Sequence, residues 1–293
     1  MTETADPPAN HDDAPTGSSQ VERRAAALDL LTTLTASDDP ERAVDSMERR
    51  HGALGTFAID HVLGTLWSRP QLSRRDRSLI VITFLAVLGS DDELRIHLRG
   101  AVNHGVERHE IREVVNQVAG YAGYPLAFAA TRIVDEVLAE LDGVERLPPK
   151  EPAPPVDDPD RWVAATDVMG TIFGGRASND PAEARAGIVA ALGGVGELAF
   201  DWGFGELWAR SELSRRDRSM VTVAILAVLS REAELMVHVP AALNHGVTRV
   251  EVEEIMTQLT VYGGFPRAVE GIRAARAAFD RIDARAGGDA SSS

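Results

Sequence analysis

Two short stretches carry the residues best suited to chemistry. ELRIHLRGAVNHG spans Glu93–Gly105, and ELMVHVPAALNHG spans Glu234–Gly246. At 100° per residue a helix places Glu93 and His97 on one face, and His104 returns to it three turns later. The stripe Glu93, His97, Ala101, His104 has its copy in Glu234, His238, Ala242, His245. A carboxylate beside an imidazole tunes it across neutral pH, which suits general acid–base catalysis. The pattern predicts that His97 and His238 move a proton while Glu93 and Glu234 orient them and set their pKa. The small alanine between leaves room for a ligand. The plainer alternative is a solvated i,i+4 pair, with His104 and His245 favouring the negative end of the helix dipole. No metal is expected: the stripe reaches ~16 Å from Glu93 to His104, too far for one ion to be held by both ends.

Other candidates surround this stripe. Arg77 and Arg218 sit in the heptad LSRRDRS, which occurs twice unchanged. They could clamp a substrate carboxylate bidentately or pair with an acid on the next helix. His104, His245, Asn103 and Asn244 complete the substrate-binding candidates on the stripe helices. Trp67, Tyr121, Trp208 and Tyr262 recur at matching places, as pocket lining or as core. His61 faces Trp202 in the alignment of the copies, so it is an extra imidazole in one half. Pro240 replaces Arg99 and should kink or weaken the second stripe helix.

Composition limits the options. The chain has 293 residues, enough for two domains, with 44% hydrophobic and 26% charged residues. It has no cysteine, which removes disulfides, thiol nucleophiles and thiolate metal sites. Lys150 is the only lysine and lies in a proline-rich stretch, which argues against Schiff-base chemistry. A net charge of −15 argues against a nucleic-acid partner. The longest apolar run, Leu79–Leu88, is too short to span a bilayer, and the N-terminus lacks the pattern of a secretory signal, so a cytoplasmic location is expected.

The elements that must position these residues read as helices. Residues 1–20 and 286–293 read as disordered tails, and 142–160 as a proline-rich linker. Between them lie two repeats, 21–141 and 161–285. Trp67 and Trp208 set their offset at 141 residues, which holds without a gap to Pro125 and Pro266. Ser73 can cap a helix running through RSLIVITFLAVLG, Gly105 can close the stripe helix, and Gly123 followed by Pro125 separates two more. Nothing alternates with period two. The expected fold is all-α, a tandem of two bundles of about six helices each.

The ordered set Trp-x-Arg-Pro, Leu-Ser-x-Arg-x-Arg, Glu-Leu-x-x-His, Asn-x-Gly and Tyr-x-Gly-x-Pro resembles the carboxymuconolactone decarboxylase family in both repeats. The resemblance implies an all-α bundle that assembles as trimers or hexamers. In the family's thiol branch, related to alkylhydroperoxidases, cysteines would stand where this chain has Ser90 and Glu93, and a glutamate where it has Ser78. Thiol peroxidase chemistry is therefore not expected. The cysteine-free branch removes CO2 from an acidic lactone in aromatic catabolism, and it commonly reads Asn-Asn-Gly where this chain twice reads Asn-His-Gly. These implications point to a lyase without a cofactor, acting on a small carboxylated, lactone-like substrate. An isomerase, dehydratase or cyclase tailoring a polyketide-like natural product, and a non-catalytic binding or assembly protein, remain the alternatives. Three fused chains would supply six repeats, so a homotrimer is expected, with sites drawn from more than one repeat.

Overall fold

The computed structural model describes residues 18–35 and 38–290. Among them every regular element is helical and no strand occurs. Most of the N-terminal tail assigned to 1–20 lies outside the described residues. The described residues fall into two compact units: residues up to 31 with 39–68, and residues 32–38 with everything from 69 onward.

The first unit holds most of α1 (Gln20–Leu34), α2 (Pro40–His51), α3 (Ala53–Phe57) and a π-helical segment, Ala58–Leu66. Asp39 caps α2 by accepting from the Arg42 amide. Gly64, in the π segment, packs where a Cβ would lie 2.2 Å from the Arg23 carbonyl oxygen. Only glycine permits that approach.

The second unit carries the chemistry-bearing stretches. From the first repeat come α4 (Arg74–Leu88), α5 (Asp91–Asn103), α6 (Arg108–Tyr121) and α7 (Tyr124–Leu141). The proline-rich stretch 144–157 is without helix. The second repeat supplies α8 (Asp158–Ile172), α9 (Pro181–Leu192), α10 (Gly194–Leu198), a second π segment (Ala199–Leu207), α11 (Arg215–Val228), α12 (Glu232–Asn244), α13 (Arg249–Tyr262) and α14 (Phe265–Ala290). α14 runs on through Gly287 and Gly288, so 286–290 are helical where a disordered tail was expected.

Local sequence explains the boundaries. Ser73 and Ser214 cap α4 and α11 by accepting from the Asp76 and Asp217 amides. Gly89, at φ 66°, closes α4 in the left-handed region that glycine adopts without cost. α4 and α11 are buried on nearly every side, Leu79–Val87 in one and Met220–Val228 in the other. A helix apolar all round belongs at the centre of a bundle. These two pack on each other, with α6 against α11 and α13 against α4. The long apolar run is thus the middle of the core, and no described helix is long and apolar enough to cross a membrane.

The centre is joined by charge as well. Arg75 reaches Glu110 in its own repeat and Asp217 in the other; Arg216 reaches Glu251 and Asp76 in mirror fashion. Each repeat thus closes its partner's charge network. This exchange explains why compact structure does not divide at the proline-rich linker.

Candidate active site

α5 and α12 bring His97 and His238 inward while leaving Glu93 and Glu234 exposed. No hydrogen bond joins either glutamate to the imidazole four residues on, among the described residues. The expected Glu–His couple is therefore not formed: the acid turns to water, where it is better solvated, and the imidazole turns to the core. The direction of tuning changes with it. Burial, with His104 as a smaller cause, pushes the His97 pKa down to about 4. Burial and His245 push His238 down to about 4 as well. Both imidazoles are neutral at pH 7.

What each histidine meets is a tyrosine from the other repeat. The Tyr262 hydroxyl, at the end of α13, lies 3.4 Å from His97 Nε2, and the rings meet edge-on at 5.4 Å. The Tyr121 hydroxyl, at the end of α6, lies 3.4 Å from His238 Nε2, with rings edge-on at 5.2 Å. Trp208 completes the second site. Its ring stacks on His238 at 6.1 Å and 16°, and its Nε1–H donates to the Tyr121 oxygen at 2.9 Å. The π segment Ala199–Leu207 ends at Trp208, and Gly205 within it approaches the Arg161 carbonyl so closely that a Cβ would sit 2.7 Å away. That approach seats Trp208 in a cluster with Val168, Ile172 and Ala241.

The Trp208 bond orders the protons. Because the indole donates into the phenol oxygen, the Tyr121 proton is free to point at His238 Nε2. Burial raises the Tyr121 pKa, which keeps that proton on the phenol. An imidazole accepting at Nε2 carries its own proton on Nδ1, and Nδ1 of His238 is buried without a hydrogen-bond partner.

The second imidazole of each stripe is committed elsewhere. His104 meets Ser78 Oγ at 2.8 Å through Nδ1 and Thr33 Oγ1 at 2.9 Å through Nε2. His245 repeats this with Ser219 at 2.7 Å and Thr171 at 2.8 Å. Asn103 and Asn244 donate to the Thr33 and Thr171 carbonyls at 2.9 and 3.0 Å. The Asn-His pair thus clamps the end of a neighbouring helix, α8 in the second copy, with both imidazole nitrogens and the asparagine amide nitrogen engaged by protein. Substrate binding by these four, as expected from the sequence, is not what the geometry favours.

The arginines follow the other branch left open for them. Arg77 is fully buried: it pairs with Glu254 at 2.8 Å and donates to Gln258 and to the Arg69 carbonyl. Arg218, equally buried, pairs with Glu113 at 3.0 Å and donates to Gln117 and to the Arg210 carbonyl. The carboxylate and amide partners come from the opposite repeat and the carbonyls from the same one, so both terminal nitrogens of each guanidinium are already engaged by protein. His61 is exposed against Phe57 in the first unit, and Trp67 is buried at the end of that unit's π segment. Pro240 does not break α12, whose helix is continuous to Asn244. No group of three or more metal-ligating side chains gathers among the described residues.

The partners Glu113 and Glu254, with Gln117 and Gln258, are the residues that sequence reasoning missed. Their signal was present: Glu and Gln stand four apart on the buried face of the same helix in both copies.

Residues 53–136 and 194–277 each match the Carboxymuconolactone decarboxylase family. The chain belongs to that family. One relative, the 4-carboxymuconolactone decarboxylase of Acinetobacter baylyi, is 33% identical over 120 residues, covering 41% of this chain and 90% of the relative. Another, the nitrosuccinic acid decarboxylase of Metarhizium robertsii, is 34% identical over 76 residues, covering 26% of this chain. The chain spans about half, 53%, of that second relative's length. Each family stretch contains one histidine and one tyrosine of the two pairs. In this tandem member, neither repeat completes a histidine–tyrosine site alone.

Proposed function

We propose that the chain is a lyase that decarboxylates a small acid bearing an electron-withdrawing group, at paired sites built from His97 with Tyr262 and His238 with Tyr121. The observation that carries this reading is the crossing of each neutral imidazole, buried at His97 and half-buried at His238, with the phenol of the other repeat, in a family whose named relatives are decarboxylases.

The chemistry follows from the electrostatics. A carboxylate entering beside an imidazole supplies the counter-charge that burial had denied it, which raises the imidazole pKa and lets it take up a proton from water. As the carbon–carboxylate bond breaks, its electron pair moves into the substrate's own acceptor, a lactone carbonyl or a nitro group. CO2 leaves, and the imidazolium returns its proton to the carbon. One acid anion and one proton thus give CO2 and the protonated product, with the enzyme regenerated. No thiamine or pyridoxal is required when the substrate supplies the electron sink. Tyr121 and Tyr262 hold the imidazole tautomer by donating to Nε2, the place the sequence pattern had assigned to Glu93 and Glu234. The lactone is one substrate of this class; a nitro acid is another.

The test is CO2 release from 4-carboxymuconolactone and from nitrosuccinate, measured with the intact chain and with His97→Ala/His238→Ala. Release by the intact chain and loss in the double variant, with unchanged circular dichroism, is the expected result. Full activity in the double variant would end the proposal.

A further inference from the structure

The two repeats differ on the surface where the stripe helix packs on the last helix. In the first repeat that seam is closed by ion pairs: Arg95 with Glu136 and Arg99 with Glu140 link α5 to α7. The offset of 141 residues places Met236, Ala277, Pro240 and Arg281 at those four positions. Both pairs are lost in the second repeat, and both bridging arginines with them. In their place is a cleft of about 220 Å³ between α12, α14 and the end of α8.

We infer that this cleft binds a small amphipathic carboxylate, of single-ring size. Its walls are apolar, with Phe173, Met236 and Pro240 among them. Arg176, Arg281 and Arg285 line it, and no acidic residue does. None of these three arginines makes an ion pair among the described side chains, although most of the arginines in this acidic chain are paired. A chain of net charge −15 repels anions as a whole, so three unneutralised guanidinium groups around one apolar cleft form a local exception. Guanidinium binds carboxylate bidentately, and an apolar cleft with a few convergent polar groups is the usual form of a small-molecule site. Pro240 adds an acceptor. Having no N–H, it leaves the Met236 carbonyl without its helical partner, and both residues line the cleft. The ligand class is therefore a ring acid with an N–H or O–H group to spare. The cleft is separate from the histidine–tyrosine pairs, and the inference stands whether or not the chain decarboxylates.

Fluorine NMR titration of the full chain with 3-fluoro-4-hydroxybenzoate and 3-fluoro-4-hydroxybenzamide, which share the spare O–H and differ in the carboxylate, tests it. The acid should bind at one site per chain, and the uncharged amide at least tenfold more weakly. Arg281→Gln/Arg285→Gln should weaken acid binding at least tenfold. Met236→Arg/Ala277→Glu should do the same by restoring the ion pair that the first repeat already accommodates. His97→Ala/His238→Ala should leave binding unchanged. No binding, equal binding of acid and amide, unchanged affinity in both cleft variants, or loss in the histidine variant would each overturn the assignment.

Discussion

Removing Glu254 tests the claim that charge exchange between repeats holds the core together. Arg77 is 0% exposed and Glu254 1% exposed, and their pair closes at 2.8 Å. Glu254 also receives two 2.9 Å bonds from Arg69 Nε. Glu254→Ala would leave the Arg77 guanidinium hydrogen-bonded to Gln258 and a carbonyl but without a counter-charge. Arginine cannot shed its proton to escape. Breaking one side of a buried pair costs about 3–5 kcal/mol, and this one sits at the low-solvent extreme of that range's premise. Glu136→Ala is the control, since it removes a half-exposed partner of Arg95, and such pairs contribute about 0–1 kcal/mol. Arg77→Met/Glu254→Leu removes both charges together and should recover most of the loss. Urea unfolding followed by circular dichroism reads all three variants, provided the slope of the transition is unchanged. If Glu254→Ala costs no more than Glu136→Ala, the buried exchange is not what stabilises the pairing.

Three further outcomes follow. His97 titrates at about 4 when folded and near 6.5 when unfolded, so acid favours the unfolded chain. Stability should fall as pH drops from about 6.5 to about 4, by on the order of 3 kcal/mol from His97, and His97→Gln should make that part of the curve shallower by about that amount in urea titrations, the fall due to His238 remaining. Tyr121→Phe and Tyr262→Phe together should lower kcat at least ~10-fold with little change in KM, because they remove the bond that holds the imidazole for proton transfer. Thr171→Val leaves His245 Nε2 and Arg215 Nη1 without their shared acceptor, and should cost about 1–3 kcal/mol in thermal unfolding.

The fold was readable because its local signals agree with its global pattern. The offset of 141 residues, the Ser73 cap and the glycine stops all describe short-range chemistry that the chain carries in its own sequence. The site was readable only in part. His97 and His238 stood out by type and spacing, and so did the recurring tyrosines. Spacing alone could not say which side of the stripe faces the core, and a helix places Glu93 and His97 close enough for either outcome. Burial decided it, separating acid from imidazole. Nor could spacing reveal that His97 meets Tyr262, 165 residues away. Such a contact exists only once α4 and α11 have packed. The π segments left no period of their own in the sequence, yet one of them places Trp208.

The same exchange predicts how a single repeat behaves. In residues 1–150, Arg77 would lose Glu254 and Gln258, and His97 would lose Tyr262. The fragment nonetheless retains the counterparts of all three, because Glu113, Gln117 and Tyr121 occupy the equivalent positions of the first repeat. Two fragments related by a twofold axis could therefore satisfy each other: Arg77 of one copy would reach Glu113 of the next, and Tyr121 would reach His97. Arg75 finds its acid in the same way, with Asp76 standing for Asp217. A twofold interface is self-complementary, which is what residues written identically in both copies require. The fragment should thus form a dimer in sedimentation equilibrium. Glu113→Ala should dissociate it, since the buried Arg77 would then have no counter-charge in either copy. A folded, stable monomer of the fragment at micromolar concentration would show that the repeats do not depend on each other's charges, and the account of the core given by Arg77 and Arg218 would fail with it.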